Sequence, residues 1–266
     1  MSQPQTLPEE PILLREDDGA VARLTLNRPA QFNALSEEML DALQATFDEI
    51  AETRAIRLVT IGARGKAFCA GHDLKQMRAR PEQAYYEWLF RKCGRVMTTM
   101  LRLPQPVIAR VQGIATAAGC QLVANCDLAV AAEESRFATS GIGVGLFCFT
   151  PGVALSRNVG RKDAFEMLFT GDFVDSARAL EMGLVNRVAP ADGPDAAVDD
   201  LAAPILAKSA AAVAAGKRAF YRQLEMGMDA AYAYTAEEMA RNMMCADAAE
   251  GIDAFMQKRN PEWTHR

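Results

Sequence analysis

Histidine is nearly absent from this chain of 266 residues; only His72 and His265 occur. A Ser/His/Asp or Cys/His triad would have to use His72, because His265 is penultimate and reads as frayed. A histidine-based metal site would be short of ligands, so no metal is expected. No G-x-S-x-G elbow is present; Ala138-Thr139-Ser140-Gly141 comes nearest and lacks the flanking glycines. The six cysteines, Cys69, Cys93, Cys120, Cys126, Cys148 and Cys245, form no C-x-x-C pair. They read as reduced, buried thiols rather than as a disulfide framework or zinc site. Positive charge is not in excess either. A net charge of −5 gives no basic field to attract nucleic acid or an anionic membrane. No apolar run approaches membrane-spanning length, and Met1 to Leu14 contains no apolar signal core. The expectation is a soluble, cytoplasmic α/β protein with neither a nucleic-acid nor a membrane partner.

What is present is alternation of strand and helix patterns. Val21 to Leu26 alternates and stops at Asn27-Arg28-Pro29. Ser36 is placed to cap a helix through Ala51, with Met39, Leu40, Leu43, Phe47 and Ile50 on one face. Ile56 to Ile61, Pro106 to Val111 and Asp127 to Ala132 read as further strands, and Gln121 to Cys126 as a short helix. Met77 to Leu103 is helical in pattern, and its polar start, holding Tyr85, Tyr86 and Trp88, reads as a mobile flap. From Lys162 onward helices dominate: Ala164 to Phe169, Ser176 to Met182, an alanine-rich run from Ala196 to Met226, and a last helix over Asp229 to Lys258 capped by Asp229.

Two small-residue turns carry the chemistry. They are Ala67-Phe68-Cys69-Ala70-Gly71-His72-Asp73-Leu74 and Gly113-Ile114-Ala115-Thr116-Ala117-Ala118-Gly119-Cys120. Each follows a β-like run and leads into a helix-like one, so each can offer an unpaired backbone N–H. Two such donors converging on one point make an oxyanion hole. The second turn also imitates a dinucleotide fingerprint, with Glu133 and Glu134 near the ribose-binding distance. Two of its three glycines are alanine, and close strand–helix packing explains the small residues better.

The same turns resemble those of the enoyl-CoA hydratase/isomerase (crotonase) family. So do Leu26-Asn27-Arg28-Pro29 with Asn33-Ala34-Leu35-Ser36, Cys126-Asp127-Leu128 through Phe137, Phe169-Thr170-Gly171 through Asn186, and Gly251 to Arg259. The resemblance implies a crotonase (ClpP-like) spiral of β-β-α turns forming two nearly perpendicular sheets. Residues 1–200 would be the core and 201–266 a helical C-terminal region driving assembly into a homotrimer or a dimer of trimers. The methionines Met226, Met228, Met239, Met243 and Met244 offer apolar surface for that, although packing within the chain could also use them. It implies an acyl-CoA partner, coenzyme A being the thioester part of the substrate rather than a cofactor. The two N–H donors would be those of His72 and Ala118, with Ala70, Ala117 and Gly119 small enough to let the thioester approach. The His72 imidazole would either face the acyl pocket or play no part. Coenzyme A would lie along Gln31, Ala34, Ala70, His72, Asp73, Leu74 and Lys75, with Phe255 and Lys258 reaching it from the same or a neighbouring subunit. For Asp73 a capping role, and for the lysines simple solvation, remain open alternatives.

One departure matters most. Hydratases of the family use two glutamates, and the matching positions here are Gln121 and Gly141. Neither exchanges a proton near neutral pH, and each such group contributes about 10²–10⁴-fold. The position where some isomerases carry an acid falls near Phe149. The remaining proton carriers are His72, Glu87, Tyr85 and Tyr86, then Cys69 and Cys148. Phe90, Met97, Leu146, Phe147 and Phe149 are candidates to line an acyl pocket. The first reading is an enoyl-CoA hydratase-like lyase or isomerase of fatty-acid metabolism with relocated acid–base residues. The alternatives are an acyl-CoA hydrolase or decarboxylase, and a catalytically silent acyl-CoA-binding protein.

Overall fold

A hairpin leads the described chain. In the computed structural model, which describes residues 10–265, β1 (Leu13–Asp18) turns at Gly19 (φ 58°) into β2 (Val21–Leu26). The first nine residues of the stretch searched for a signal core lie outside the described residues. Strand β1 is missing from the sequence reading, although Asp17-Asp18-Gly19 is a turn signal. Helix α1 (Glu37–Glu52) starts where Ser36 Oγ accepts from the Met39 N–H at 3.2 Å. Its five expected apolar positions are all fully buried.

Three β-β-α turns follow. The first is β3 (Leu58–Ala63), β4 (Ala67–Cys69), α2 (Leu74–Ala79) and α3 (Gln83–Arg102). The second is β5 (Val107–Val111), β6 (Ile114–Thr116) and α4 (Ala118–Asn125). The third is β7 (Leu128–Ala132), β8 (Arg136–Ala138), α5 (Phe149–Asn158) and α6 (Arg161–Thr170). The chain continues through β9 (Val174–Asp175), α7 (Ser176–Glu181), β10 (Arg187–Ala189) and α8 (Pro194–Leu206). It ends in α9 (Ala210–Gln223), α10 (Met228–Met243) and α11 (Ala246–Gln257). In each turn the first strand joins one sheet and the second joins another. The larger sheet runs β1-β2-β3-β5-β7-β10, parallel from β2 onward; the smaller runs β4-β6-β8-β9, with only β9 antiparallel. The central strands β3, β5 and β7 are buried almost throughout, as parallel strands covered on both faces must be. Residue Leu58 and its neighbours to Ala63 are all buried.

Several expectations need correction. Tyr85 is 7% exposed and its hydroxyl donates to Glu37 at 2.9 Å, while the Tyr86 hydroxyl donates to the Met77 carbonyl at 3.1 Å. The stretch expected to be a mobile flap is thus pinned, and Pro81 splits it into α2 and α3. Helix α5 was not foreseen, because Pro151-Gly152 obscures the pattern. The alanine-rich run breaks at Ser209, whose Oγ caps α9 by accepting from the Ala212 N–H at 3.2 Å. The last helix is two helices parted at Met244-Cys245, and Gly227 rather than Asp229 occupies the cap of α10. His265 is docked, not frayed: its N–H donates to Asp247 at 2.9 Å and its Nδ1 accepts from the Ala210 N–H at 3.2 Å.

A buried cluster fastens α9 to the spiral. Lys217 Nζ donates to the carbonyls of Met100 and Gln105, both at 2.9 Å, and to Asp127 at 2.6 Å. Asp127 also accepts from the Tyr221 hydroxyl (2.8 Å) and the Val107 N–H (2.6 Å).

Candidate active site

The first turn is held from the side by the segment after β2. Asn33, fully buried at φ 53°, donates through Nδ2 to the carbonyls of Arg64 (2.9 Å) and Ala67 (2.8 Å). Its Oδ1 accepts from the Arg28 N–H at 2.8 Å. The Ala70 N–H donates to Phe32, the Leu35 N–H to Gly71 and the Asp73 N–H to Leu35. Gly71 stands at φ 92°, a conformation that favours glycine. The His72 N–H, between these bonds, has no hydrogen-bond acceptor among the described residues.

The second turn is strained. Ala117 has φ 50° and ψ −120°, a region that L residues with a Cβ rarely occupy and that costs of order 1–3 kcal/mol. Its N–H is tied to the Ala138 carbonyl at 3.0 Å. The next residue, Ala118, opens α4, so its N–H has no intrahelical acceptor. Gly119 presses on the Cys69 carbonyl so closely that a Cβ there would overlap it. A Cβ on Gly71 would lie 3.2 Å from the Ala118 nitrogen and 2.9 Å from the Ala117 Cβ. The two turns are therefore in contact, and each carries one N–H, of His72 and of Ala118, that has no acceptor among the described residues. Such a pair, at a helix N-terminus, can hold an oxygen that develops negative charge.

The side chains of His72, Gln121, Cys69, Cys120 and Cys148 carry no charge. The His72 ring packs edge-on against Phe90 of α3, with centroids 5.3 Å apart and an interplanar angle of 81°. Burial pushes its pKa down to about 4, so the imidazole is neutral at neutral pH. Its Nε2 is buried without a partner among the described residues, and so is Oε1 of Gln121, which is 5% exposed on α4. Gly141 admits no side chain: a Cβ would overlap the Leu146 carbonyl oxygen and lie 2.9 Å from Cys148 Sγ. Burial pushes the Cys69 and Cys120 thiols to about 12 and raises Cys148, which keeps all three protonated. Glu87 is exposed and accepts from Gln83. Among the described residues the only buried carboxylate is Asp247, under the C-terminal tail. No desolvated carboxylate stands in for the missing pair.

The fold gathers Ala34, Ala70, His72, Asp73, Leu74 and Lys75 beside the first turn, with Gln31 on the adjoining loop. Asp73 caps α2, accepting from Lys75 and Gln76, and pairs with Arg28 at 3.5 Å. Lys75 is exposed. Lys66, which sequence reasoning passed over, stands with Nζ 5.3 Å from the Phe32 ring. This sets a cation beside the 30–32 loop, from a turn 34 residues downstream that only the fold brings near. Phe255 is 85% exposed and Lys258 ends α11, whose main packing is on α9 and α10, so the single chain does not carry them to the turns. Of the expected acyl lining, Phe90 is beside His72 and Met97 is buried, whereas Leu146 and Phe149 (74% exposed) face outward.

The spiral and its paired turns define a class of protein. The family model for enoyl-CoA hydratase/isomerase matches residues 16–266, and the chain belongs to that family. Among relatives, enoyl-CoA hydratase domain-containing protein 3, mitochondrial, of Xenopus laevis is 45% identical over 259 residues, covering 97% of this chain and 88% of that protein. Its Homo sapiens counterpart is 43% identical over 255 residues, covering 96% and 84%. Among solved structures, an enoyl-CoA hydratase from Mycobacterium smegmatis superposes with a TM-score of 0.94 at 59% identity, covering 96% of this chain and 99% of that one. The crotonase fold is thus the fold of this chain. One expectation is overturned here: these curated relatives are named as mitochondrial proteins, which conflicts with a cytoplasmic placement drawn from composition.

Proposed function

We propose that the chain binds an acyl-CoA thioester and stabilises negative charge on its carbonyl oxygen through the N–H groups of His72 and Ala118, with Gly119 permitting the approach. The observation that carries this reading is the contact between the Gly71 and Ala117–Ala118 turns, each presenting a donor with no internal acceptor. Each donor of such a hole contributes about 3–4 kcal/mol to transition-state stabilisation. Coenzyme A runs along Ala34, Ala70 and Leu74 toward Lys66 and Lys75. Proton transfer falls to His72, which is neutral above about pH 4 and adjoins the hole. Gln121 and Gly141 cannot hold and split water as two carboxylates would, so hydration of a simple enoyl-CoA is slow.

The 201–266 region is the assembly face in this reading, giving a trimer or a dimer of trimers. Exposed Met228, Met239 and Met244 (72, 71 and 87%) support it, and Phe255 and Lys258 would then serve a neighbouring site. The test is loss of the conjugated double bond of crotonyl-CoA at high protein concentration, with acyl-CoA binding followed in parallel. Binding that Gly119→Ala abolishes supports the reading. Absence of acyl-CoA binding to the intact protein overturns it.

A further inference from the structure

Charged lysines are seldom buried unless they are paired. Lys217 is such a residue, with a side chain 6% exposed and Nζ donating to three partners. These belong to three places in the spiral: Met100 in the last turn of α3, Gln105 on the loop that follows it, and Asp127 at the entry to β7. The last four carbonyls of a helix have no intrahelical donor. Of those in α3, the Thr99 carbonyl accepts from the Leu103 N–H, and the Met100 carbonyl is met by Lys217. A cation at that end also suits the helix dipole. Standing on α9, Lys217 thus holds the C-terminal end of a 20-residue helix from outside.

The same helix carries a wall of the candidate site. Phe90 precedes Met100 on α3 by about 15 Å of helix axis, and its ring meets the His72 ring edge-on at 5.3 Å. The His72 backbone is fixed by its bridge to Leu35. Its Nε2 is buried with no hydrogen-bond partner among the described residues, so packing against Phe90 orients the ring. Between Phe90 and Met100 the helix buries Cys93, Val96 and Met97, and a helix gripped along that length moves as a rod. We infer that Lys217 is a positioning residue: by fixing the end of α3 it sets Phe90, and through Phe90 the His72 ring beside the first donor turn. That this ring serves an acyl thioester rests on the reading above; the packing route does not.

Imidazole proton and carbon resonances test this in the full chain, because only two histidines occur and His72→Phe assigns them by removing one. In Lys217→Met the His72 signals are expected to move toward the positions they take in Phe90→Leu, where the neighbouring ring current is lost. In Phe90→Leu/Lys217→Met they should move no further than in Phe90→Leu alone, since residues that act through one contact do not add. Thermal melting shows that each variant is folded. Should Lys217→Met fail to fold, Asp127→Asn keeps the size of the carboxylate but weakens its hold on the cation, and is expected to move the His72 signals the same way by less. Unmoved His72 signals in a folded variant would overturn the inference. So would a shift confined to His265, which docks on Ala210 at the start of α9, because α9 would then move without α3. A Lys217→Met shift of equal size with and without Phe90 would overturn it as well. Titration of the unaltered protein with butyryl-CoA tests the acyl-thioester reading separately: if nothing binds, that reading falls and the resonance result stands.

Discussion

Restoring the two carboxylates should fail at Gly141 for a reason of space. In Gly141→Glu the new Cβ overlaps the Leu146 carbonyl oxygen, a backbone atom that no rotamer change can move aside, and meets Cys148 Sγ at 2.9 Å. The Leu146 N–H also donates to the Gly141 carbonyl at 3.0 Å, so the segment between them has to shift as a unit. Overpacking of this kind costs about 1–3 kcal/mol. For a chain of this length that lowers Tm by roughly 2–6 °C. Gln121→Glu, by contrast, replaces a side chain with one of nearly equal volume. The expected outcome is that Gln121→Glu/Gly141→Glu melts lower than Gln121→Glu and hydrates crotonyl-CoA no faster. Differential scanning fluorimetry and the absorbance of the conjugated thioester measure both. A double variant that melts with the parent and gains of order 100-fold in hydration would refute the steric argument.

Other outcomes follow from the same geometry. Gly119→Ala should separate the two turns and reduce acyl-CoA turnover or binding by about 100-fold or more, the weight of one lost donor; a variant of unchanged activity would show that the Gly119–Cys69 contact does not set the hole. Ala117→Gly should stabilise the fold by about 1 kcal/mol by relieving a positive φ, read as a higher urea midpoint. Because burial lowers the His72 pKa from 6.5 to about 4, the unfolded chain takes up the proton first as pH falls. The stability that His72 contributes is complete above about pH 6.5 and is lost between there and pH 4, by up to about 3 kcal/mol. His72→Phe should flatten that slope in denaturant melts. Lys217→Met should cost about 2–4 kcal/mol, since it leaves the half-buried Asp127 without its cation, and a midpoint within 1 kcal/mol of the parent would show that Asp127 is adequately held by Tyr221 and Val107.

Where local chemistry decided the structure, it was legible. Ser36 and the face from Met39 to Ile50 define α1 by capping and periodicity alone, and the two turns announce themselves by small residues between strand and helix. What stayed hidden depends on long-range contact or on competing local signals. The break at Ser209 loses to alanine propensity when read as pattern. Lys66 is remote in sequence from Phe32. The strain at Ala117 cannot be seen in an alanine, because it accompanies a bond to Ala138, 21 residues away in sequence. At Gly141 the missing acid was evident from the sequence, but the lack of room for one was not.

The placement of β4 beside β6 has a consequence for how this site can change. Parallel neighbours in a sheet are spaced by their own ladder, about 4.8 Å apart, and the two N–H groups leave from the ends of these two strands. Their separation is therefore set by the backbone, provided that Gly119 leaves room for the Cys69 carbonyl. Positions 121 and 141, where the two carboxylates are missing, hang instead from α4 and from the segment after β8, which make no rungs in that ladder. On the proposed reading the two donors and positions 121 and 141 thus lie in separable parts of the chain, while His72 belongs to both anion binding and proton transfer. In that reading, a substitution at 121 can change the reaction without moving either backbone donor.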